Sequence, residues 1–140
     1  MTVTDPDYQA IFRALPNPTA LFSRDVRYLD VSDSYVATVG RERPQLIGQD
    51  PFSLFPTELP HAAAAARASI ESVLATGEVD KMDLIRYDIE VPGRPGVFEE
   101  RYWMIVHVPV TGPDGRVHSF IHQATDATDT VRSLLKAQAR

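Results

Sequence analysis

Four histidines, His61, His107, His118 and His122, are the residues of this 140-residue chain best suited to chemistry, because imidazole titrates near neutrality and ligates metals. Spacing limits them. His118 and His122 share one face of an alternating run, but at 3.3 Å per residue they stand about 13 Å apart, too far for one ion. His107 has the opposite parity in its own run, so the histidines are expected to be separate and to hold no metal. Glu99 and Glu100 are adjacent and point to opposite faces of a strand, so they cannot act as an acid–base pair. With no cysteine, the chain has no thiol nucleophile, thiolate metal site or disulfide, which fits a reducing compartment. No G-x-S-x-G, P-loop, H-E-x-x-H or G-x-G-x-x-G pattern occurs. Catalysis is therefore not expected.

Arg86 is of a different kind, because it interrupts the apolar run "LIRYDI" (84–89). A guanidinium buried there must be paired. Either it helps to anchor an anionic or polar ligand, or it is satisfied by an internal carboxylate such as Asp50, Asp88 or Glu100.

These side chains must be positioned by the elements around them. Tyr8, Ile11, Phe12 and Leu15 fall at helical spacing between Asp7 and Pro16, predicting a short amphipathic helix over 7–15. "PTALFS" (18–23) and "VRYLDV" (26–31) read as two strands joined by a tight turn. "SDSYVATVG" (32–40) is a short helix capped by Ser32 or Asp33 and stopped by Gly40. Residues 43–60, punctuated by prolines, should form short helical turns that still bury side chains. "PHAAAAARASIESVLATG" (60–77) is the most secure helix, with Pro in its first turn and Gly at its end. Strands over 81–91, 97–110 and 116–126 follow, joined at "PGRPG" and "GPDG" into a meander. In the second turn Pro113 presets φ and Gly115 takes a positive φ. Period 2 then changes to period 3.6 at "ATDTVRSLLKAQAR", so the last strand hands over directly to a helix. Helices between two blocks of antiparallel strands indicate an α+β fold, since βαβ alternation is absent.

Composition sets bounds. At 44% hydrophobic residues the chain can build one domain with a core. A net charge of −5, with fourteen scattered Lys and Arg, argues against nucleic acid, which needs a basic footprint. The N-terminus has no basic start or apolar stretch, and no run of about 18 apolar residues occurs. The expectation is a soluble cytoplasmic protein without membrane contact.

The order of elements and several local motifs together resemble the PAS domain family, from about Asp7 to Asp129. "ALFSRDVRYLDVSDSYVATVGRERPQLIGQDPFSLFP" is similar to the first half of that fold, including an hLhG turn at Gln45-Leu46-Ile47-Gly48. "PVTGPDGRVHSFIHQATDATD" is similar to the second half, a D-G hairpin whose last strand closes on D-h-T-D. "IRYDIEV" followed by "FEERYW" looks like a bacterial subgroup often joined to histidine kinases and other signalling outputs. Many members carry Asn where Ser32 stands, so a weaker cap is expected here, although Ser still accepts a backbone N–H.

The resemblance implies a five-stranded antiparallel sheet with short helices on one face and a helix at each end. It divides the chain into a tail (1–6), a sensor domain (7–127) and a connecting helix (128–140). A ligand cavity would be lined by Tyr35, Ile47, Leu54, Leu84, Arg86, Met104, Val106, Phe120 and His122, with Ala124 on the same side and Arg86 and His122 as its polar anchors. His107 would lie on the other face from His122. Flavin-adduct photochemistry requires a cysteine that is missing, and the one histidine on the long helix, His61, reads as a solvated first-turn residue rather than a haem ligand. No cofactor is assigned, and a colourless, light-insensitive protein is expected. The apolar stripe of 127–140 (Ala127, Val131, Leu134, Leu135, Gln138) makes a helix too short to be stable alone. With Tyr8, Ile11, Phe12, Leu15 and an outer sheet face of Trp103, Ile105 and Ile121, it suggests a homodimer. The implied function is sensing or dimerisation that controls an attached or partner output such as a histidine kinase. The alternatives are a ketosteroid-isomerase-like cone-fold enzyme and a ligand-free dimerisation spacer.

Overall fold

The computed structural model describes residues 5–57 and 59–139. Residues 1–4 of the expected tail, and Arg140 at the end of the expected last helix, lie outside the described residues. Helix α1 (Tyr8–Arg13) is shorter than the 7–15 predicted, and its N-cap Asp7 accepts from the Ala10 N–H at 3.1 Å. Strands β1 (Thr19–Ser23) and β2 (Tyr28–Val31) form the first hairpin. Three short helices follow: α2 (Asp33–Val39), α3 (Arg43–Leu46) and α4 (Pro51–Leu54). The long helix α5 (Pro60–Thr76) stops at Gly77, whose φ of 70° is the left-handed conformation expected of a C-terminal glycine.

The second half is more broken than predicted. The expected 81–91 strand is three two-residue pieces, β3 (Asp80–Lys81), β4 (Ile85–Arg86) and β5 (Ile89–Glu90). The expected 97–110 strand is β6 (Phe98–Glu99) and β7 (Tyr102–Thr111). The interruption falls among charges: the Asp88 carboxylate binds the Arg86 guanidinium at 3.0 Å and also accepts from the Arg101 N–H at 3.4 Å. A side chain there takes a donor that a continuous ladder would use. Strand β8 (Val117–Asp126) then leads into α6 (Thr128–Gln138).

The main sheet runs β2-β1-β8-β7-β3, with β4 also paired to β7 and β5-β6 forming a separate ribbon. It is five positions wide, as expected, but the outermost position is shared by β3 and β4. The central hairpin pairs His107 with His122 and Ile105 with Ala124, and its register shifts between Val110 and Thr111. Without that bulge, His122 would sit opposite Val106. Because strand side chains alternate, a one-residue shift exchanges the faces of β7.

On the inner face, Phe22 stacks on Phe120 with ring centroids 5.3 Å apart and meets Tyr28 at 4.6 Å. Ala20, Val31, Leu46, Ile70 and Val73 close the same core. Ser32 does more than cap α2. Its buried hydroxyl accepts from the Tyr35 N–H at 3.2 Å and from the Thr19 N–H at 3.0 Å. Ser32→Ala leaves two backbone donors without a partner, so it should cost about 2 kcal/mol. Urea unfolding would measure this, and a loss below about 0.5 kcal/mol would contradict the double role.

Candidate functional site

A cavity of about 420 Å³ lies between the sheet and the helices. Trp103, Ile105 and His107 of β7 and His122 and Ala124 of β8 form its sheet wall, with Phe22 and Tyr28. Tyr35, Phe52, Leu54, Phe55 and Ile70 form the helical side, and Ile85, Tyr87, Ile89 and Phe98 border it from the broken edge. The Trp103 indole N–H donates to the Tyr87 carbonyl at 2.8 Å, and the Tyr87 hydroxyl donates to the Phe55 carbonyl, so sheet, edge and α4 are tied together. The hydroxyls of Tyr28 and Tyr35 bond to each other, and burial pushes both phenols far up from their ordinary pKa.

Of the residues expected to line this cavity, Tyr35, Leu54 and His122 do so. Met104 is 58% exposed on the opposite face, and Val106 shares that face because its partner across β7–β8 is Gln123. Phe120 is fully buried within the core beneath the cavity, and Ile47 is exposed. Leu84 and Arg86 border a separate groove between α5 and β3–β4. Arg86 is no buried cation. It is an exposed side chain paired with Asp88 at 3.0 Å and Glu100 at 3.1 Å, two of the internal carboxylates considered for it. Trp103 and Ile105, expected on the outer face, line the cavity, while Ile121 has the opposite parity to His122 and is outward-facing. These reversals in β7 have one cause, the bulge at Val110/Thr111.

That bulge also brings together two histidines that strand parity keeps apart. His107 and His122 share a face, and Nε2 of His107 lies 2.9 Å from Nδ1 of His122. Nδ1 of His107 is 2.7 Å from the Ser69 hydroxyl on α5, which donates to the Asp80 carboxylate on β3 at 2.5 Å. Four polar side chains thus form one continuous chain from the groove to the cavity. Burial lowers the His107 pKa to about 4 against the opposing pull of Asp80. Burial, then the neighbouring His107, lowers that of His122 to about 3. Both rings are neutral at pH 7. No cluster of His, Asp and Glu suited to a metal occurs among the described residues.

At the exit from the sheet, Asp126 accepts from the Thr128 N–H at 2.9 Å and pairs with Arg101. Burial works against ionisation of Asp126, but bonds from Thr128 and Arg101 hold its carboxyl below the usual range. The buried Thr128 hydroxyl accepts from the Tyr102 N–H at 3.0 Å. The D-A-T-D segment is therefore a junction that bonds the first turn of α6 to the start of β7.

A family profile described as PAS fold matches residues 12–132. The chain belongs to the PAS family. The cone-fold alternative is thereby set aside. A curated relative in sequence is the uncharacterized protein y4lL of Sinorhizobium fredii, 34% identical over 89 residues; the match covers 64% of this chain and 10% of that protein. The PAS domain of a Colwellia psychrerythraea protein superposes with a TM-score of 0.67 at 14% identity, covering 86% of this chain and 93% of that one. The Vibrio cholerae VqmA dimer, described with LuxR-type receptors, gives 0.65 at 20% identity, covering 86% and 50%. VqmA has also been solved bound to DPO. No helix among the described residues is long and apolar enough to cross a membrane.

Proposed function

We propose that this PAS domain is a sensory and regulatory module that holds a small molecule in its cavity and passes the state of the cavity through β8 to α6. The observation that carries this is the partly open, mostly apolar space with a few convergent polar groups, the usual make-up of a ligand site, on the strand that runs into the Asp126 junction. Whatever output follows α6 or binds to it, such as a histidine kinase, would respond to a change in how that helix leaves the sheet. Native mass spectrometry of the freshly purified protein tests the first step. A mass above that of the chain, lost on denaturation, is expected. A bare chain mass, together with dimerisation, would leave the ligand-free spacer in its place.

Dimerisation is the second part. α1 exposes Tyr8 and Ile11, α6 exposes Leu134 and Leu135, and the outer sheet face presents Met104 and Val110. With Phe12, Leu15, Val131 and Ile121, these surfaces fit a two-fold homodimer. Replacing Ile11 and Phe12 with Ser should give monomers in analytical ultracentrifugation. A dimer unchanged by that double substitution would remove α1 from the interface.

A further inference from the structure

We infer that the cavity takes an uncharged ligand with an apolar body and at least one hydrogen-bond donor, which is received by Nε2 of His122. This rests on the sensor reading above and names the chemistry of its ligand. It follows from proton accounting along the buried chain. The Asp80 carboxylate can only accept, so the single hydroxyl proton of Ser69 is committed to it at 2.5 Å. Ser69 Oγ must then accept from Nδ1–H of His107 at 2.7 Å. A neutral imidazole has one N–H, so Nε2 of His107 carries a lone pair and accepts from Nδ1–H of His122 at 2.9 Å. The last atom, Nε2 of His122, is left as an acceptor. His122 lines the cavity and is only half-buried. Its Nε2 has no bond among the described residues, yet it is not a sealed orphan, since the one such buried side-chain atom among them is Nε of Arg101.

The rest of the lining disfavours an anion. Its one guanidinium among the described residues, Arg41, stands 3.7 Å from Glu90 and lies over the Phe55 ring, and Asp88 and Glu90 add negative charge at that edge. A ligand offering only acceptors would meet the His122 lone pair and leave it unsatisfied, which costs more than a missing bond in water.

Three naphthalene probes of similar size separate the possibilities in calorimetric titrations at pH 7.5: 2-naphthol has a donor, 2-methoxynaphthalene has none, and 2-naphthoate is an anion. The naphthol should bind about tenfold more tightly than the ether, the effect of one well-placed bond in a mostly apolar site, and the naphthoate should bind more weakly than either. His122→Phe should bring naphthol and ether to within about twofold, with the ether little changed. Equal binding of naphthol and ether to the native protein would overturn the inference and leave the cavity reading intact. Binding of none of the three would overturn both. Nitrogen-15 NMR of the histidine rings gives a test that needs no ligand. Both His107 and His122 should be neutral Nδ1–H tautomers, and Ser69→Ala should release that preference at His107. An Nε2–H tautomer at His122 in the native protein would overturn the inference whatever the probes do.

Discussion

Phe120→Ala should destabilise the domain by about 4 kcal/mol, whereas Met104→Ala should change its stability by less than about 0.5 kcal/mol. Phe120 is fully buried, stacked on Phe22 and edge-on to the His107 ring at 5.8 Å. Removing it leaves a void that these rings cannot close without moving. Against a total of about 5–15 kcal/mol for a domain, such a loss is close to unfolding it. Met104 is mostly in solvent. Alternation alone puts both residues on the cavity side, so the pair of variants, compared by urea midpoints, is a test of register. Similar losses from both would mean that β7 pairs without its bulge.

The second large effect is acid sensitivity. His107 and His122 titrate at about 4 and about 3 when folded, against about 6.5 in an unfolded chain. Below pH 6.5 the unfolded chain binds protons that the folded protein refuses. Stability is therefore fully present above the unfolded value, falls as pH drops below it, and levels off only below the folded values. Between pH 7 and pH 5 the two rings should together remove roughly 4 kcal/mol. The depressed carboxyls, Asp25, Asp114 and Asp126, lose their contribution at lower pH, so this window isolates the histidines. Urea midpoints at pH 7 and 5 for the native protein and His122→Phe would measure it. Equal pH dependence in the two would show that His122 contributes nothing.

Much of the fold was legible because its signals are local. Gly77 stops α5, the Pro113–Gly115 turn joins β7 to β8, and the Asp126–Asp129 sequence marks the strand-to-helix junction, each within a few residues of its partners. The site was less legible. Trp103, Ile105 and His107 alternate with Met104, Val106 and Val108, and both sets are apolar enough to face a core, so composition cannot choose between them. The choice rests on one shifted residue beside the turn. Ser69 and Asp80 carry no local signal, because their meeting with His107 joins residues far apart in the chain and has no periodic signature. The charges at Arg86, Asp88, Glu100 and Arg101 read as tolerable interruptions of long strands. In the fold they bind one another and break the ladder.

The extra residue of the hairpin, His118 of β8, which has no partner across from Val110 and Thr111, has a consequence for how this protein can change over time. β7 carries two interleaved messages in ten residues, and the bulge determines which is addressed inward. Trp103, Ile105 and His107 answer to the contents of the cavity, and the even-numbered positions between and beside them to whatever meets the outer face. Substitutions can thus retune ligand preference and association separately, one letter in two, along a single strand. Deleting one residue of β7 between His107 and Val110 would instead set Val106 opposite His122 and exchange the two messages at once, which makes that end of the hairpin the least editable stretch of an otherwise permissive sheet.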